Sequence, residues 1–402
     1  MNFLYIAPIS IHPNASAGAE TINTYIDKMS SFGHHIIVLA LNDGRYHNKN
    51  ITYIHINKET RIETKMYKLR KAIGWIFYPK SKYLYKTSPS LRKNIFTKLN
   101  KLRESGYSPD CIFYETTSAI LLIDDIKAIY PNSIHIASLH DMAFQGSERR
   151  LNIEKNPVKR IIRKRYIKYA KTREIQALAS TDIIMPHNSG NAAILRKFKL
   201  LENSVMFNLV PYYSNDYNHD DFTESKDILF YGLMNRPENY LSAQWFIDNV
   251  IPFLPSKYRF IVMGGNPPEL IKKYSDSKVI VTGFVSEEEV RMYFENSFCM
   301  VVPLLFGSGI KTKVLSAMAC GLPVLSNDIG IEGIEVLSGK DYLHCETPQD
   351  YINALCELDN NKEKYLNICE NSKMFMNENY NINKCAEELN KKIYNLQNKS
   401  TI

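Results

Sequence analysis

Short apolar runs alternate along this chain with longer segments whose apolar positions recur every three to four residues, and that alternation predicts an α/β protein built on parallel sheets. Apolar runs fall at residues 3–8, 35–41, 110–114, 133–138, 181–186 and 204–209, and a second series follows at 227–231, 259–263, 279–281, 298–303 and 323–326. Each reads as a strand buried on both faces. After the first run, Ile22, Tyr25, Ile26 and Met29 share one helical face and Gly33 closes the helix, so the chain begins as a βαβ unit of the doubly wound kind. Residues 156–173 and 191–198 read as further helices. A stretch rich in Asn, Asp, Tyr and Ser separates the two series. It places a first domain at 1–210, a linker at 211–226, a second domain at 227–380 and a helical tail at 381–402.

Residues 298–333 carry the clearest chemistry. A strand-like run ends in Gly307-Ser308-Gly309; Val314, Leu315 and Met318 then recur at helical spacing, Gly321 stops the helix, and Leu322-Pro323-Val324-Leu325 opens the next strand. The first N–H groups of such a helix have no internal partner, and two glycines let a ligand approach the backbone. Lys311 and Lys313 add positive charge where the helix dipole is already positive, an arrangement that an anion relieves. A diphosphate fits. A glycine pair alone serves equally well as a plain connector, and the lysines tilt the reading toward the anion. Met263-Gly264-Gly265 ends another strand at the same edge, and residues 232–237 follow the first strand of this half. In the first half, the run at 133–138 leads into Leu139-His140-Asp141, just beyond a strand end where ligands gather in open α/β sheets. His140 reads there either as a ligand-facing group or as a loop cap. The loop at residues 12–20, HPNASAGAE, lacks G-x-G-x-x-G, which argues against a dinucleotide fingerprint and hence a nicotinamide dehydrogenase.

Composition narrows the classes. With 402 residues, 45% hydrophobic and 23% charged, the chain has material for two cores and no sign of disorder. A net charge of +8 favours anionic partners, and no nucleic-acid module is recognisable. Seven scattered cysteines with no C-x-x-C pair argue against a zinc site or a disulfide framework and fit a reduced cytosol. The first residues read as a strand rather than a leader, and no apolar run approaches the ~20 residues of a membrane span. Residues 61–86 interleave Lys65, Lys68, Arg70 and Lys71 with Tyr67, Trp75, Phe77 and Tyr78, and residues 156–173 form a strongly basic helix. Both suit an anionic membrane surface; the first reads equally as a solvated basic face, and a run like the second is more often one.

The run P-x3-G-x-G-I-K-x-K-V-L-x-A-M-A-x-G-x-P-V at residues 303–324 resembles the donor-site signature of family 4 (group 1) retaining glycosyltransferases. The resemblance implies the GT-B fold, two Rossmann-like doubly wound parallel-sheet domains facing a central cleft, with the acceptor domain first, the nucleotide-sugar donor domain second, and a C-terminal helix crossing back to the first. It implies an enzyme of the hexosyltransferase class, EC 2.4. Arg236 and Lys311 would hold the donor diphosphate, with Ser308, Gly309, Ile310, Thr312 and Ser316 on the donor loop. Gly264, Phe284 and Val285 would line the same site, the last two by the nucleobase. His140 would contact the donor sugar, with Asp141 as its orienter. Gly18 and Glu20 would lie on the acceptor side. Ser308 and Ser316 stand where the family carries two glutamates, the second of which holds the ribose, and Glu332 is a candidate to supply a missing carboxylate. R-P-E-N followed by W-F-I-D-N-V-I-P, residues 236–252, resembles a subgroup of the family.

The expected reaction is transfer of a sugar from a UDP- or GDP-linked donor to a glycan or lipid-linked acceptor with retention, in bacterial surface polysaccharide synthesis at the inner face of the cytoplasmic membrane. No cofactor and no metal are expected, because cations and backbone amides can stabilise the leaving diphosphate. Two alternatives stay open: a non-catalytic GT-B binding subunit, which the two serines favour, and a nucleotide-sugar epimerase, for which no acid–base pair of carboxylates is evident.

Overall fold

The computed structural model describes residues 1–12, 16–57, 63, 65–66, 88–140, 142–153, 156–202, 204–214, 216–219, 222, 225–307 and 309–400. They divide into two compact units, Met1–Tyr212 with Ile382–Ile402, and Tyr213–Asn381. The tail therefore belongs with the first unit.

Unit one is built on seven parallel strands: β1 (Asn2–Ala7), β2 (His35–Ala40), β3 (Ile51–His55), β4 (Cys111–Glu115), β5 (Ile134–Leu139), β6 (Ile183–Pro186) and β7 (Val205–Met206). Their order is β3-β2-β1-β4-β5-β6-β7, so the direction of winding reverses between β1 and β4. Successive side chains of a strand face opposite sides, and β1 shows what this does. Leu4 and Ile6 join one core layer with Ile112, Tyr114 and Ala137, whereas Phe3, Tyr5 and Ala7 join the other with Ile22, Ile26 and Met29. The C-terminal helix Ile382–Ser400 adds Ala386, Leu389 and Ile393 to that second layer. The sheet is thus covered on both faces, which is why its strands read as continuous apolar runs.

Unit two repeats the plan with β8 (Asp227–Tyr231), β9 (Arg259–Met263), β10 (Val279–Gly283), β11 (Cys299–Val302), β12 (Val324–Ser326) and β13 (Leu343–His344), all parallel and ordered β10-β9-β8-β11-β12-β13. The reversal falls between β8 and β11. The helix Thr312–Cys320 follows β11 and ends at Gly321 in the left-handed conformation, φ +87°. The run at 298–303 stops pairing at Val302 because Pro303 has no N–H to give to a ladder.

Two strands, β3 and β13, have no counterpart in the sequence reading. Both are edge strands. β3 exposes Thr52 on one face and His55 on the other, and β13 is two residues long, so neither shows a buried run. Residues 61–86 fall almost wholly outside the described residues. Among the described residues no helix is long and apolar enough to cross a membrane. All seven cysteines are free, and six of them are buried.

Candidate active site

In unit two the C-terminal ends of β8, β9, β10 and β11 lead into turns at one edge of the sheet, beside the reversal of strand order, where open α/β sheets bind ligands. The first two turns are knitted together by their backbones. Gly232 donates its N–H to Met263 O at 3.0 Å and Met234 to Gly265 O at 3.0 Å. Gly264 lies at φ +145°, and a Cβ there would fall 1.8 Å from the carbonyl oxygen of Gly232, so the approach is open to glycine alone. Asn239, in the first turn of the helix Pro237–Asn249, donates through Nδ2 to Leu233 O at 2.9 Å and so pins the turn that carries Arg236.

The glycine loop after β11 comes to the same edge. Gly307 and Gly309 have φ of +155° and +74°. Lys311 is the N-cap of the following helix, and its side chain makes no capping hydrogen bond. Its Nζ turns back to donate to Gly309 O and lies 3.8 Å from Glu332. Lys313 Nζ donates to Asn239 Oδ1 at 3.0 Å. Burial and the charge of Lys311, together with Arg236 and against the pull of Glu238, push Lys313 down to about 7. Three cations therefore converge on one turn. Glu332 and Glu238 offset part of that charge, and a bound anion would offset more of it.

Other donor-side candidates take definite places. Ile310 and Thr312 are half-buried at the helix start, and Phe284, after β10, is 88% exposed beside the Gly265 turn, with Val285 half-buried next to it. Ser316 Oγ accepts the N–H of Ser214 at 3.2 Å, which ties its hydroxyl to the start of unit two. Glu332 pairs with Lys311. Ser308 lies outside the described residues.

Unit one has its own polar cluster at the ends of β4, β5 and β6. His140 Nε2 meets Glu115 Oε2 at 2.9 Å, and Glu115 is buried. The ring of His187 lies 4.1 Å from that of His140, and its Nε2 is 3.0 Å from Ser138 Oγ. Burial and then the charge of His140 push His187 well below its ordinary value, so it is neutral near pH 7. Gly18 comes so close that a Cβ would lie 3.1 Å from His140 Nδ1. Thr116, directly after Glu115, sits at φ +76°, a conformation costly for a β-branched residue and typical of functional turns. Glu20, expected on the acceptor side, is buried and pairs with Arg45 at 3.3 Å. Asp141, expected to orient His140, lies outside the described residues; the carboxylate seen beside the imidazole is that of Glu115.

Residues 225–361, which include β8 to β13 and the turns at this edge of the sheet, match the family described as Glycosyl transferases group 1. The chain carries a group 1 glycosyltransferase domain. A curated relative described as an uncharacterized 44.6 kDa protein in the cps region of Klebsiella pneumoniae is 25% identical over 168 residues, 39% of this chain; the match spans 43% of that protein's length. Among solved structures, sucrose-phosphate synthase from Thermosynechococcus elongatus superposes with a TM-score of 0.72 at 13% identity, covering 98% of this chain and 99% of its own. HepE of Anabaena, solved with UDP, gives a TM-score of 0.66 at 12% identity, covering 98% of this chain and 100% of its own. At such identities the likeness speaks for the fold, which is GT-B with its two Rossmann-like parallel sheets.

At this edge of unit two, Lys313 was read from sequence as part of the anion site, whereas its partner Asn239 was not named there as a site residue, nor was Glu115 in unit one. Glu115 had a readable signal, a carboxylate ending the buried run CIFYE. Asn239 had none, because its role exists only once the helix Pro237–Asn249 packs against the turn it bonds. Among the described residues Asp328, His344 and Glu346 form the one group of three side chains close enough to share a metal ion, and all three stand exposed.

Proposed function

We propose that the protein transfers a sugar from a nucleoside-diphosphate sugar to a glycan or lipid-linked acceptor, with retention at the anomeric carbon. The observation that carries this reading is the coincidence of the group 1 match, residues 225–361, with a strand-order reversal whose turns gather Arg236, Lys311 and Lys313. As the bond from the sugar to the diphosphate breaks, negative charge grows on the leaving group. We assign its stabilisation to Arg236, Lys311 and the amides of residues 309–311, an interaction stronger in the transition state than in the ground state and therefore one that accelerates the reaction. No metal ion is required for that. Phe284 offers an exposed ring for the nucleobase, with Val285 and Gly264 beside it. UDP is the first base to test, since a protein of this fold has been solved with it. On unit one, His140 is assigned to the transferred sugar, and Gly18 and Glu20 to the acceptor.

A lipid-linked acceptor is supported by the helix Pro157–Ala179, whose first turns expose Val158 (63%) and Ile161 (58%) among Lys159, Arg160, Lys164 and Arg165. Apolar side chains flanked by basic ones suit the boundary of an anionic bilayer. Surface polysaccharide synthesis on the cytoplasmic side is the setting we assign.

A second reading has one observation in its favour. Ser316 replaces a family glutamate, and its hydroxyl, which accepts the N–H of Ser214, brings no carboxylate to the site, so the chain is alternatively a binding subunit that keeps the fold without the reaction. Incubation of the protein with a panel of UDP- and GDP-sugars, without acceptor, separates the two. Release of free nucleoside diphosphate that disappears in Lys311→Ala supports the transferase; binding of a nucleotide-sugar without any release supports the binding subunit.

A further inference from the structure

The helix Thr312–Cys320 carries its second residue, Lys313, inward. Its Nζ lies 4.6 Å from the ring centroid of Phe230, a fully buried residue of β8, and donates to Asn239 Oδ1 at 3.0 Å. Asn239 in turn donates to Leu233 O at 2.9 Å. One ammonium is thus connected through one amide to the turn that carries Arg236. The charged groups facing it are Lys311 from the glycine loop, and Arg236 and Glu238 from the start of the helix Pro237–Asn249. Two cations oppose one carboxylate. Neither a cap nor a packing role requires a lysine here, since methionine would fill the same space against Phe230 without the cost of burying a charge.

We propose that Lys313 is a positioning residue of the donor edge, which braces the Arg236 turn through Asn239 and takes up a proton from solvent when a nucleoside diphosphate occupies that edge. The inference rests on reading that edge as a nucleoside-diphosphate site. The balance is simple: Nζ gains one proton, passing from the amine to the ammonium, and no bond between heavy atoms changes. In the empty site burial, Lys311 and Arg236 hold the ammonium at about 7, so near pH 8 most molecules carry the amine, which still donates to Asn239. A diphosphate beside Arg236 and Lys311 reverses the local field and favours the charged form. Binding and protonation are then linked in both directions.

Calorimetric titration of the intact protein with UDP and with GDP at pH 8, in two buffers of unlike ionisation enthalpy, reads the proton directly. At that pH the terminal phosphate, with a second pKa of about 6, is already ionised and contributes nothing. The wild-type protein is expected to take up roughly half a proton or more per nucleotide bound. Lys313→Arg, charged at every pH, should bind with no uptake, and Lys313→Met should take up none and bind roughly tenfold more weakly at pH 6.5, where the lysine is charged. Wild-type binding with no proton uptake overturns the proposal without any variant, and so does uptake that persists in either one. If nucleotide binds, is lost in Lys311→Ala and moves no proton, the donor site stands and the role of Lys313 falls. If neither nucleotide binds, both fall together.

Discussion

Gly264 shows how narrowly single residues define the donor edge. A methyl group there would collide with the backbone of Gly232, which has no side chain to swing away, and φ of +145° adds strain for any other residue. Gly264→Ala should therefore destabilise unit two by ~2 kcal/mol or more, seen as a lower urea midpoint. Lys311→Ala should leave the fold intact and reduce donor turnover on the order of a hundredfold, the usual loss when one preorganised charge at a developing anion is removed. Unchanged turnover would remove Lys311 from the diphosphate site. Glu115→Gln keeps the shape beside His140 but withdraws the charge that orients its ring. Turnover should fall on the order of a hundredfold with little change in KM for the donor, since the imidazole is misplaced rather than lost. The glycines and lysines of residues 307–313 were legible in sequence because loop, charge and helix start lie adjacent in the chain. The pairings that set their state, Lys311 with Glu332 and Lys313 with Asn239, join residues far apart in the chain and have no signature there.

At the scale of elements, the buried strands were legible because a sheet covered on both faces leaves an unbroken apolar run, and the β8 and β9 boundaries fall where the pattern put them. The edges β3 and β13 were not, since half-exposed or very short strands carry mixed residues. Unit two also holds an ionic clamp that no periodicity announces. Asp359, at the end of the helix Pro348–Asn360, pairs with Lys226 at 2.9 Å and with Lys257 and accepts from Tyr258 Oη at 2.9 Å, fastening that helix to the starts of β8 and β9. Burial raises the Asp359 carboxyl, but the hydrogen bonds from Lys257, Lys226 and Tyr258 outweigh it and hold the group down to about 2. A depressed carboxyl stabilises the fold fully above the unfolded pKa, ~3.9, and loses that contribution as pH falls toward the folded value. The urea midpoint should accordingly drop between about pH 4 and pH 2 in the wild type, and drop less over that interval in Asp359→Asn, which starts lower at pH 7. On unit one, changing Lys159, Lys164, Arg165 and Lys168 together to glutamate should abolish sedimentation with anionic vesicles; sedimentation equal to wild type would leave the basic helix as an ordinary solvated face.

For the whole molecule, two doubly wound parallel sheets, each with its reversal beside its first strand, were implied by two successive strand series in the chain, and the GT-B neighbours carry that architecture at 13% and 12% identity. The halves differ in what their sequences disclose. The second bears the group 1 match, residues 225–361, and the glycines and lysines of residues 307–313 lie within it. The first lies outside that match and shares the fold of the solved neighbours. Binding of a nucleoside diphosphate by unit two at the Arg236 and Lys311 turns, as proposed, is read from thermal unfolding with UDP, GDP and NAD. A ligand bound by the native state alone at about a hundredfold excess over its Kd adds ~2.7 kcal/mol, enough to raise Tm by several degrees. Such a rise is expected with UDP or GDP, none with NAD, and the rise should be lost in Lys311→Ala. No rise with either nucleoside diphosphate, or an equal one in the variant, would rule out the diphosphate site.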